Sequence, residues 1–154
     1  MLAKAFSILL AVSIASNASA CQHIVQKSIT FDAESIGLDT PQIVELAAWI
    51  RDASSRYPAF AYASIEAGAS LTTPDEPLSG AAERAKRRAE STARALKALW
   101  SADIQIRTVS HPYRQKIELG SSNDFAVIQL YPDQKASPLP DCNPAPLPDF
   151  QPSR

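Results

Sequence analysis

Apolar positions in this chain come first as a block, then at strand and helix spacings, and then scattered among prolines. Residues 6–15, FSILLAVSIA, form a mostly apolar run behind Lys4, and Ala18 and Ala20 close it in a small-x-small pattern. That is the layout of a secretory signal peptide over residues 1–20; a membrane span would need about 20 apolar residues, twice this run. Residues 26–35 alternate around Ile29 and Phe31 and predict a strand. Gly37 breaks it. Asp39 or Thr40 can then cap a helix, Pro41 suits the first turn, and Ile43, Leu46, Ala47, Ile50, Ala53 and Tyr57 recur at three and four until Pro58 stops the run.

A second strand is predicted over 59–68, with Phe60, Tyr62 and Ser64 on one face and Ala61, Ala63 and Ile65 on the other. Residues 68–77 hold two prolines and no periodicity, the mark of a loop. A long helix follows, capped by Ser79 or a residue slightly earlier. Leu78, Ala81, Ala82, Ala85, Ala89, Thr92, Ala93, Leu96 and Leu99 form its buried side. Its other side carries Arg84, Lys86, Arg87, Arg88, Glu90, Arg94 and Lys97. The run RAKRR, 84–88, reads as a solvated helix face rather than a binding patch, because Glu83 and Glu90 dilute its charge. Strands are predicted over 103–110 and 125–131, and 116–119 can add a short one. From Pro132 onward, seven prolines in 23 residues exclude a helix or central strand and leave a tail.

The order strand, helix, strand, helix, strand, strand implies an α+β class, a two-layer α/β sandwich with both helices on one face of a small sheet. The expected organisation is a signal peptide over 1–20, one α/β domain over 21–131 and a proline-rich tail over 132–154. Fifteen basic and sixteen acidic residues give a formal charge of -1, and removing residues 1–20 takes away only the charge of Lys4. Such a balance gives no general attraction to nucleic acid or to an anionic membrane surface.

The two cysteines, Cys21 and Cys142, admit a disulfide, a lipid on Cys21, or neither. In an oxidising compartment they can pair, closing a loop worth about 4–5 kcal/mol in the entropic picture. Alternatively Cys21, at the end of ASAC, carries a lipid. Catalytic chemistry finds little footing. His23 and His111 stand in no metal-ligand spacing, and there is no C-x-x-C. Asp103, Asp124 and Asp133 flank strand ends, where polar residues ordinarily fall. A non-enzymatic protein with no cofactor and no metal is therefore expected.

Several phrases of the chain resemble the OmpA-like domain, a peptidoglycan-binding module of bacterial envelope proteins. Ile29-Thr30-Phe31 resembles its opening I-x-F strand, Ile43 to Pro58 its first helix, and Ile65-Glu66-Ala67-Gly68-Ala69-Ser70 its second strand running into a glycine-containing turn. The family signature N-x-x-L-S-x-x-R-A has its nearest counterpart in Asp75-Glu76-Pro77-Leu78-Ser79, with Arg84-Ala85 arriving two residues late. Residues 103–108 resemble the third strand, so the likeness spans residues 29–131.

The resemblance implies the family's β-α-β-α-β-β sandwich and a ligand grip: an aspartate after the second strand and an arginine of the second helix hold the diaminopimelate end of the peptide stem. A carboxylate meets the ligand's ammonium and a guanidinium forks its carboxylate. Here Ser70 stands at the aspartate's place, Ala82 at the ungapped place of the arginine, and Arg84 lies roughly 200° further around the helix. Glu66 offers a carboxylate, and Asp75 replaces the signature asparagine. The ligand-binding candidates are thus Glu66, Ser70, Asp75 and Arg84. The implied function is a cell-envelope protein of the periplasm, attached to the outer membrane if Cys21 is lipidated, with peptidoglycan as ligand. The alternative is a periplasmic module that has lost peptidoglycan binding and meets an envelope protein as adaptor, assembly subunit or inhibitor.

Overall fold

The computed structural model describes residues 24–114 and 123–136. Within them the order is β1 (Val25–Thr30), α1 (Thr40–Arg56), β2 (Phe60–Ser70), α2 (Leu78–Leu99), β3 (Gln105–Tyr113) and β4 (Phe125–Pro132). The sheet runs β1-β4-β2-β3. β4 lies antiparallel to both β1 and β2, and β3 is parallel to β2 at the edge. This is the expected α+β sandwich.

One core joins the helices to the sheet. Leu46, Ile50 and Ala53 of α1 and Ala89 and Leu96 of α2 pack with Ile29, Ala63, Ile65, Ala67, Ala126, Ile128 and Leu130 of the strands. Each fully buried leucine or isoleucine contributes about 1.5–3 kcal/mol of transfer free energy. The alanines of α2 and β2 bring that helix close to the sheet. Positions alternating with these, Tyr62, Ser64, Glu66, Val127, Gln129 and Tyr131, are only partly covered. Tyr62 and Tyr131 stack there with ring centroids 4.2 Å apart, and burial followed by the field of Tyr62 raises the Tyr131 hydroxyl pKa.

Local chemistry explains the helix limits. Asp39 caps α1 in a reciprocal box with Gln42, as the sequence suggests, and Gln42 also donates to the Thr30 carbonyl at 2.7 Å. α2 is different. Its N-cap is Pro77, the earlier start that the sequence allows beside Ser79, and no side chain caps it. Other expectations also shift. Ile43 and Leu99 are 38 % and 37 % exposed, so the apolar stripes are narrower than the periodicity implies. A register irregularity between Phe60 and Tyr62 turns Phe60 onto the core side, where it meets Tyr57 and Trp100 edge-on. β2 also runs on to Ser70, two residues past the expected break.

The disulfide between Cys21 and Cys142, the lipid on Cys21 and attachment to a membrane are corrected. No disulfide occurs among the described residues, both cysteines lie outside them, and no described helix is long and apolar enough to cross a membrane. Those assignments are not retained. The signal segment 1–20, the extra strand at 116–119 and the tail beyond 136 also lie outside the described residues.

Candidate functional site

Charge collects where β2 ends, around the start of α2 and the residues leading into β4. The pivotal side chain is Arg88. Its charge suggests the solvated face of α2, yet it is 0 % exposed. It falls three residues after buried Ala85 and four before buried Thr92, so it shares their stripe. Its five donors are all engaged. Nε donates to the Ser35 carbonyl at 2.7 Å, Nη1 to the Gly68 carbonyl at 2.8 Å and to Asp124 Oδ1 at 2.7 Å, and Nη2 to the carbonyls of Asp32 at 2.8 Å and Ala33 at 2.9 Å. The guanidinium also stands 5.1 Å from the centroid of Phe31. Asp124 Oδ1 accepts the Ser70 amide at 3.1 Å as well. An aspartate–arginine pair therefore does stand at the end of β2. Its carboxylate comes from the segment before β4 rather than from position 70.

Gly68 permits this closure. A Cβ there would lie 2.5 Å from the Asn123 carbonyl oxygen and 2.6 Å from the Phe125 ring. The close approach brings Asp124 within reach of Arg88 and the Ser70 amide.

Arg84 is half a step nearer the surface, with 17 % of its side chain exposed. It donates from Nη2 to the Ser70 carbonyl at 2.7 Å, so the structure unites two of the sequence candidates. Its principal partner is Glu76. Nη1 meets Oε1, and Nη2 meets Oε2 at 2.9 Å, a two-pronged pair. Thr72 adds its amide at 2.6 Å and its hydroxyl at 2.8 Å to Oε2. These bonds, the Arg84 pair first and the Thr72 amide next, hold the Glu76 carboxyl at about 2 against an ordinary 4.5. Reciprocally, the hydrogen bond to Glu76 raises the Arg84 pKa.

The other candidates are not brought in. Asp75 is exposed, while its neighbour Glu76 makes the contacts. Glu66 lies on the partly covered sheet face, 3.4 Å from His111 Nε2 across β2 and β3. Four residues of strand, about 13 Å, separate it from Ser70. Sequence reasoning missed Glu76, Arg88 and Asp124. Helical spacing could have marked Arg88; the other two are joined across loops and carry no periodic signal. Among the described residues, no group of three or more His, Cys, Asp and Glu side chains could hold a metal ion.

No family model and no curated protein matches the chain. Solved structures do. The peptidoglycan-associated lipoprotein from Burkholderia pseudomallei is similar over 68 % of this chain and 87 % of its own, at 23 % identity and a TM-score of 0.50. The OmpA-like domain of FopA1 from Francisella tularensis subsp. tularensis SCHU S4 is similar over 71 % of this chain and 73 % of its own, at 14 % identity and a TM-score of 0.50. At these identities the likeness establishes the fold: the chain has the OmpA-like fold.

Proposed function

We propose that this chain, with its OmpA-like fold, is a non-enzymatic domain of the cell envelope that acts by contact with an envelope protein. Its arginine basin is closed to a peptide stem. One observation supports this reading above others: both inward arginines of α2 are engaged by the chain's own acceptors, Arg84 through its two terminal nitrogens by Glu76 and Ser70, Arg88 by Asp124 and four carbonyls. A ligand carboxylate would have to displace a charge-assisted pair already in place. The apolar run over 6–15, read as a cleaved signal, supports a periplasmic address. Intact mass of the native protein checks that reading, with a mature chain starting at Cys21 expected and retention of residues 1–20 contradicting it.

The second reading is peptidoglycan binding. It draws on the fold likeness to the peptidoglycan-associated lipoprotein from Burkholderia pseudomallei. Co-sedimentation with diaminopimelate-type peptidoglycan separates the two. The closed basin predicts no saturable pelleting of the wild type. Saturable pelleting that is lost in Arg84→Ala, with the variant folded, would overturn the proposal in favour of wall binding.

A further inference from the structure

We infer that β3 is a self-pairing edge: two copies of this chain join antiparallel along β3, about a two-fold axis at Thr108, and make one continuous sheet. The pairing uses none of the basin residues, so it stands whether or not the basin is closed.

One bond sets the backbone direction along β3. Tyr113 turns its carbonyl to β2, accepting the Leu71 amide at 3.1 Å. Backbone groups alternate sides along a strand, so Gln105, Arg107, Val109 and His111 also face β2, while Ile106, Thr108, Ser110 and Pro112 face outward. Among the described residues no strand pairs on that outer side. Pro112 fits there, because a proline is tolerated on an edge strand where the missing N–H would point away from the sheet. The outward amides and carbonyls of Ile106, Thr108 and Ser110 form a template for another strand. Thr108 and Ser110 are exposed, so α2 leaves the template open.

Edges are ordinarily guarded by charge, and the two edges of this sheet differ. β1 carries Lys27, and an edge lysine deters strand pairing. On β3 both basic side chains turn back over β2. The Arg107 guanidinium lies 4.7 Å from the Tyr62 ring centroid, and His111 Nε2 lies 3.4 Å from Glu66 Oε1. The middle of the edge is left neutral, with Thr108, Ser110 and a Val109 that is 47 % exposed.

The chemistry of the edge selects a second copy and one register. With the axis at Thr108, that residue exchanges both bonds with Thr108 of the second copy, and Ile106 does so with Ser110. The ladder stops there, since Pro112 has no N–H and the Ile104 amide is held by the Ala102 carbonyl at 3.1 Å. Arg107 then stands opposite Val109, and Gln105 opposite His111, so each basic residue meets a neutral one. Threonine opposite threonine is itself a favourable cross-strand pair. An axis at Arg107 would set that cation against itself. An axis at Val109 would set Arg107 against His111, and Ile106 against the missing N–H of Pro112.

The test exploits the self-opposed residue. Sedimentation equilibrium of the native chain up to about 1 mM, the weak end of the affinity scale, should show a monomer–dimer equilibrium. Thr108→Lys and Thr108→Glu alone should each dimerise about fivefold more weakly, since like charges then face each other across the axis. Their equimolar mixture should recover at least wild-type association, as lysine meets glutamate. Amide hydrogen exchange of the wild type needs no variant. Exchange at Thr108 and Ser110 should slow as concentration rises, while the Arg107 and Val109 amides, already turned to β2, should not change. A wild type monomeric throughout, exchange at Thr108 and Ser110 independent of concentration, or folded Lys and Glu variants that associate alone as well as they do mixed, overturns the pairing.

Discussion

Arg88 enters the interior with every donor engaged. Its removal takes from Asp124 its arginine and leaves the carbonyls of Asp32, Ala33, Ser35 and Gly68 without that donor. Breaking a buried ion pair from one side costs about 3–5 kcal/mol. Arg88→Met, which keeps much of the side-chain length, should therefore lower unfolding free energy by about that amount in a urea titration at neutral pH. A change within about 0.5 kcal/mol, the range of an ordinary surface substitution, would contradict the hub role. The position was legible from its spacing to Ala85 and Thr92. Its residue type concealed it, because arginine is almost never buried unless it is paired and hydrogen-bonded. Pairing of that kind depends on Asp124, 36 positions away, and nothing local announces it.

At the scale of elements, α1 was readable almost to the residue because its signals are local: Asp39 as cap, Pro41 in the first turn and Pro58 after the end. α2 was readable in extent but not in its cap, since Pro77 fixes the entry without any side-chain bond. β2 was harder. Its irregularity near Phe60 changes which side chains face the core, and its last residues extend because β3 and β4 both pair along it. Gly68 is the element-level constraint there. Gly68→Ala should destabilise by about 1–3 kcal/mol, as overpacking against a backbone oxygen and a ring cannot be relieved by one rotamer change. The same variant should speed hydrogen exchange at the Ser70 amide, because Asp124 is pushed from its bond. Unchanged stability and unchanged Ser70 protection would show that the segment before β4 yields freely.

Across the whole molecule, the β-α-β-α-β-β order and the two-layer class followed from apolar periodicity, and the similar solved structures share that fold. The ligand grip was legible only in outline. Ser70 and Arg84 do meet, but Glu66 and Asp75 stand apart, and the carboxylates that matter, Glu76 and Asp124, arrive through loop geometry. Access to this basin turns on Glu76 filling the fork of Arg84, and a carbon-13 pH titration of the Glu76 carboxyl reads that occupancy directly. With the folded pKa below the unfolded one, the pair's stabilisation is present above about 4.5 and is lost as pH falls through about 2. The carboxyl should therefore titrate at about 2 in the wild type, and rise toward 4.5 in folded Arg84→Gln. A wild-type midpoint near 4.5, unmoved by Arg84→Gln, would contradict the closed basin.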